Sequence, residues 1–89
     1  MITVCLADNF PVIHYGIKSY FKDHSEINVI SNVGSFYMVP DALRNRDINV
    51  LVVDIDIDGL KSLYDLRDVI AKFPKTKFNN GEELSIPST

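Results

Sequence analysis

Hydrophobic positions recur along this chain in two rhythms: short continuous or alternating runs, and longer stretches with apolar residues three or four apart. The most apolar run is Asp47-Ile-Asn-Val-Leu-Val-Val-Asp-Ile-Asp-Ile-Asp-Gly59, which ends in three alternating acids. A β-branched run this short, bounded by Asn49 and Gly59, predicts a strand over 48–54 that is buried on both faces, as in a parallel sheet. Ile2 to Ala7 predicts another strand, closed by the turn-forming pair Asp8 and Asn9. Ile27 to Asn32 alternates, which suits an edge strand.

Between these runs the spacing changes to that of helices. Pro11 fits a first helical turn, and Ile13, Ile17, Tyr20 and Phe21 form a stripe along a helix over 11–23. Gly34 and Ser35 supply a turn before a second helix over 36–46, which Pro40 can begin or kink. The third helix, over 60–73, carries Leu63, Leu66, Ile70 and Phe73 on one stripe, widened by Leu60 and Tyr64, and Pro74 stops it. From Lys75 onward there is no apolar run. The prediction is an α/β domain over 1–77 in β-α-β-α-β-α order and an irregular tail over 78–89, where Leu84 and Ile86 are the residues able to cover anything.

Composition narrows the function classes. Eighty-nine residues make one domain, and a chain of this size buries roughly 60% or a little more of its unfolded surface. With 46% hydrophobic residues, 24% charged residues and a net charge of −3, it has the balance of a soluble globular domain and no basic excess for direct nucleic-acid binding. The single Cys5 forms no internal disulfide and reads as a small buried hydrophobe. The apolar start is interrupted by Asp8 and lacks a basic leader, so neither a signal peptide nor a membrane span is expected, and the cytoplasm is the expected compartment. His14 and His24 lie ten residues apart without nearby cysteines, which does not make a zinc site.

Right-handed crossovers allow two βαβ units to share a sheet in the order 2-1-3, with the winding direction reversing at the first strand. That reversal opens a crevice at the carboxyl ends of strands one and three, where Asp8, Asn9, Asp54 and Asp56 would converge. Oxygen groups of this kind suit Mg2+.

Two of these segments carry a resemblance. Leu6-Ala-Asp-Asn-Phe-Pro-Val-Ile-His-Tyr-Gly-Ile17 resembles the opening of bacterial response-regulator receiver domains of the LuxR/NarL type, in particular the Rcs-type capsule regulators. Leu51-Val-Val-Asp-Ile-Asp-Ile-Asp-Gly59 resembles their phosphoacceptor strand and turn, and the likeness covers about residues 1–77. It implies a flavodoxin-like (CheY-like) three-layer fold in a two-component system, with Asp54 as acceptor of a phosphoryl group from a histidine kinase. It also places Asp8 as a metal ligand and Asp56 as a contributor of its backbone carbonyl to Mg2+.

The departures from the family's pattern are as informative. Asn9 stands where the family has a second acid, and Ile57-Asp58 replaces Met-Pro before Gly59. A neutral amide offsets no cationic charge, so Mg2+ binding at Asp8, Asn9, Asp54 and Asp56 is expected to be weak. Receivers have five βα units and this pattern has three. The hydroxyl and lysine groups that would contact a phosphoryl group therefore have no counterpart, and the positive clamp on its transition state is missing.

Ending the pattern at a third unit would leave Val50, Leu51, Val52 and Val53 at a sheet edge, a surface for homo-oligomers through strand pairing or exchanged helices. The principal expectation is a truncated, degenerate receiver that is not an enzyme and acts by protein association, with a second copy, a full-length response regulator or a histidine kinase. The alternatives are an Asp54 phosphoacceptor completed by oligomerisation, and the remnant of an interrupted regulator gene.

Overall fold

A computed structural model describes residues 1–79. Four strands, β1 (Ile2–Ala7), β2 (Ile27–Val33), β3 (Val50–Val53) and β4 (Lys77–Asn79), form one parallel sheet in the order β2-β1-β3-β4. Three helices connect them: α1 (Pro11–Tyr20), α2 (Val39–Asn45), preceded by a 3-10 turn over Phe36–Met38, and α3 (Leu63–Lys72). The expected α/β architecture and the 2-1-3 strand order are both present, and β2 is an edge strand as its alternation implies.

The two-residue period of the strands divides the core between two faces. Cys5, Ala7, Leu51 and Val53 pack with Val39 and Leu43 of α2 and with Leu66 and Val69 of α3. Val4, Leu6 and Val50 point to the opposite face and pack with Phe21 and Ile27. Among the described residues the first face is covered by two helices and the second by α1. Consequently none of the ten residues of α1 is buried, and Phe21, at its carboxyl cap, makes the deepest contact.

At their amino ends β1 and β3 are tied by side chains. Asn49 Oδ1 accepts the Thr3 N–H at 2.8 Å, and Thr3 Oγ1 accepts the Asn49 N–H at 3.0 Å. At their carboxyl ends Ala7 pairs with Val53. That register sets Asp8 beside Asp54, whose N–H reaches the Ala7 carbonyl at 2.9 Å.

β3 is not the sheet edge. β4 pairs with it in register, Val50 with Lys77, Leu51 with Phe78 and Val52 with Asn79. The exposed-edge expectation for Val50, Leu51, Val52 and Val53 is therefore corrected. A central strand with unpaired N–H and C=O groups on one side accepts even a short polar partner, because the main chain supplies the bonds. Phe78 and Asn79 thus belong to a strand rather than to an irregular tail, while Leu84 and Ile86 lie outside the described residues.

Helix boundaries also differ in physically readable ways. α1 ends at Tyr20 rather than residue 23. The segment expected as one helix over 36–46 divides, because Pro40 takes a place in the first turn of α2 and leaves a 3-10 turn before it. α3 starts at Leu63 rather than Leu60, since Asp65 Oδ2 accepts the N–H groups of Lys61 and Ser62 at 3.0 and 3.3 Å and satisfies the helix entrance there. Its buried stripe shifts accordingly to Leu66 and Val69, with Ile70 and Phe73 beside them. Leu63 and Tyr64 are exposed.

Candidate functional site

The carboxyl end of the sheet gathers the acidic residues. Asp8 follows β1 and its Oδ1 accepts the Phe10 N–H at 2.8 Å, shaping the turn into α1. Asp54 follows β3 and its Oδ1 accepts the Asp56 N–H at 3.0 Å. Both carboxylates are half-buried and face the same open cavity. Asp56 and Asp58 are exposed, and Ile57 between them is 2% exposed and anchors the turn in the core.

Asn9 does something the sequence pattern does not announce. Its Nδ2 donates to the Asp56 carbonyl at 3.2 Å and its Oδ1 accepts the Asp58 N–H at 2.8 Å. One carboxamide thereby joins the turn after β1 to the turn after β3. The far side of the second turn is held as well, by the Phe36 N–H donating to the Asp58 carbonyl at 2.7 Å. Gly59, at φ +92°, lies under the Tyr37 ring so closely that a Cβ would approach it to 2.8 Å.

The four residues Asp8, Asn9, Asp54 and Asp56 do come together, but as a hydrogen-bonded pair of turns. Mg2+ demands near-octahedral oxygen donors and keeps several waters. Here the Asp56 carbonyl already faces an N–H donor, Asn9 Oδ1 is taken by a main-chain amide, and Asp8 and Asp54 each commit one oxygen to the backbone. Among the described residues no group of three or more His, Cys, Asp or Glu side chains could hold a metal ion. Each group thus spends part of its oxygen capacity inside the protein, which makes the arrangement a poorer seat for Mg2+ than four free oxygens would be.

The cavity, about 510 Å³, runs from Asp8 and Asp54 along α1, past Ile13, Ile17 and Tyr20, over Leu6 and Val52. Its floor is the sheet face that α1 covers only in part. The helical stripe at Ile13, Ile17 and Tyr20 marks this wall in the sequence, but periodicity says nothing about how much of the stripe finds a partner. Away from it, burial pushes the Cys5 thiol above its usual pKa, an effect partly offset by a hydrogen bond with Ser31.

No protein-family model matches the chain. The Fimbriae Z protein of Escherichia coli strain K12 is 26% identical over 57 residues, covering 64% of this chain and 27% of that protein. The non-phosphorylated receiver domain of the stress response regulator RcsB from Escherichia coli superposes with a TM-score of 0.79 at 21% identity, covering 86% of this chain and 61% of that one. RcsB in a structure of two dimers bound to two parallel DNAs gives 0.80 at 21% identity, covering 88% of this chain and 41% of that one. The structural neighbours are thus RcsB receiver domains, and the chain has the receiver-domain fold. It spans less than two thirds of the length of each of these relatives.

Proposed function

We propose that the chain is a receiver-type module of a two-component signalling system that acts by associating with a second copy of itself, not by phosphotransfer or any other catalysis. The observation that carries this reading is α1, a helix with no buried residue that exposes Val12 at 72%, Ile13 at 42%, Tyr15 at 77% and Tyr20 at 63%. Large apolar side chains left exposed along one helix suit an interaction site. RcsB, which shares the fold, occurs as dimers on DNA. No described helix is long and apolar enough to cross a membrane, and the module proposed to work in the cytoplasm includes β4 through Asn79.

Light scattering over the micromolar range tests the proposal. The wild type is expected to grow in mass with concentration, whereas Ile13→Asp and Tyr15→Glu stay at monomer mass with unchanged circular dichroism. A wild type that is monomeric throughout overturns it. If mass grows only on adding a full-length response regulator or a histidine kinase, the occupant of the α1 face is that protein and not a second copy.

One observation favours a second reading, with Asp54 as a phosphoacceptor completed by oligomerisation: Asp54 ends the central strand and opens with Asp8 onto an accessible cavity. A carboxylate oxygen there would attack phosphorus and form an acyl phosphate as the donor's leaving group departs. Intact mass after incubation with acetyl phosphate and Mg2+ separates the readings. The association reading expects no adduct; an adduct lost in Asp54→Ala supports the second.

A further inference from the structure

The turn that follows β3 is held from both flanks. On one flank stand the two hydrogen bonds of Asn9, to the Asp56 carbonyl and the Asp58 N–H. On the other stand the Phe36 N–H on the Asp58 carbonyl and the Tyr37 ring over Gly59. Ile57, buried between, leaves the turn little room to shift.

We propose that the Asn9 carboxamide takes the place of a divalent cation in this pocket, joining the β1 and β3 turns so that their geometry is set without Mg2+. A cation would bridge the turns by drawing together carbonyl and carboxylate oxygens. The carboxamide does so with a donor and an acceptor on one rigid plane. Its orientation is dictated by its partners: a main-chain carbonyl requires the NH2 group opposite it, and a main-chain N–H requires the oxygen. Turning the amide over would set oxygen against oxygen and nitrogen against nitrogen.

The chemistry at position 9 therefore decides whether the pocket needs a metal. A carboxylate there can still accept the Asp58 N–H, but it cannot donate to the Asp56 carbonyl. It also adds a third negative group to the end of the sheet that holds Asp8 and Asp54, and like charges gathered there repel unless a cation stands among them. One exchange of NH2 for O− converts a self-contained staple into a cation-requiring site. This inference is independent of the association reading, because it concerns the turns that follow β1 and β3 and not the exposed side chains of α1.

The test titrates MgCl2 at constant ionic strength into the full chain and into Asn9→Asp, following the melting temperature and the amide resonances of Asp54, Asp56 and Asp58. For the wild type the expected result is no saturable change in either. For Asn9→Asp the expected result is a melting temperature several degrees lower in EDTA, recovered by millimolar Mg2+ with shifts of those resonances. A saturable Mg2+ response in the wild type overturns the proposal, and so does an Asn9→Asp protein that melts like the wild type in EDTA and ignores Mg2+. Should Asn9→Asp fail to fold with or without Mg2+, the wild-type titration decides alone. Mass measurements on the same samples report association separately, so failure of one reading is not mistaken for failure of the other.

Discussion

At Gly59 a single residue shows how local backbone demand and packing coincide. Its φ of +92° lies in the region that only glycine occupies without strain, and the Tyr37 ring closes the space above it. Gly59→Ala is therefore expected to destabilise the fold by about 1–3 kcal/mol, measured by urea denaturation. A turn at Gly59 is readable from the sequence; the ring lying on it is not, since Tyr37 and Gly59 meet only through the sheet. Cys5 behaves as its setting implies. The thiol is fully buried and its pKa is raised above the ordinary 9.0, by burial first, with the Ser31 hydrogen bond acting in the other direction. Because the folded pKa exceeds the unfolded one, the unfolded chain loses its proton first as pH rises. Stability is thus complete below pH 9.0 and falls as pH climbs from there through the folded value. Denaturant midpoints on the alkaline side should show that fall in the wild type and less of it in Cys5→Ala. A thiol reagent at neutral pH should label Cys5 no faster than the protein unfolds.

Among the elements, β4 is the one that sequence patterning fails to foresee. Lys77, Phe78 and Asn79 show no apolar run, and three residues carry too little signal to be read as a strand. They pair because β3 offers unsatisfied main-chain groups, and the approach is guided by the Lys77 N–H on the Asn49 carbonyl and by Thr76 Oγ1 on the Ile48 carbonyl, each at 2.8 Å. Removing that hydroxyl in Thr76→Val should cost about 1 kcal/mol. Hydrogen exchange should show it as faster opening of the Leu51 amide, which strand alternation turns toward β4, with the Asp54 amide, bonded to the Ala7 carbonyl of β1, little changed; equal acceleration in both would contradict a local role for β4. α3 offers a parallel case at its entrance. Asp65 collects two main-chain N–H groups there, and its charge also suits the positive end of a helix. Asp65→Ala is expected to lower stability by about 1 kcal/mol, read from thermal melts.

For the molecule as a whole, the decisive feature is unequal cover on the two faces of the sheet. Among the described residues two helices bury one face, one helix partly covers the other, and the part they leave open is the cavity beside α1. A domain of this size stands near the low end of the usual range of about 5–15 kcal/mol. Truncating a central side chain such as Leu6, 1% exposed, should cost about 2–5 kcal/mol and leave a large unfolded fraction at room temperature. An apolar dye should bind the native wild type at the α1 face and bind less to Ile13→Asp; dye binding unaffected by that substitution would place the exposed apolar surface elsewhere.

Much of this was written in the chain by period alone. Alternation and short β-branched runs specify which segments are strands, helical spacing specifies the connections, and a β-α-β-α-β order with right-handed crossovers leaves few topologies besides 2-1-3. The convergence of Asp8, Asn9, Asp54 and Asp56 follows from that topology, because residues that end adjacent parallel strands must share one end of the sheet. What only the tertiary structure decided is how those residues spend their bonding capacity. Carbonyl and amide directions in the turn after β3 depend on the burial of Ile57 and on Phe36 and Tyr37 from another strand's connection, and these determine that Asn9 meets the Asp56 carbonyl and the Asp58 N–H. The same holds for β3, whose apolar composition is compatible with a centre or an edge. Its neighbour is set by where the chain returns after α3, a long-range pairing that no local pattern in Lys77–Asn79 encodes.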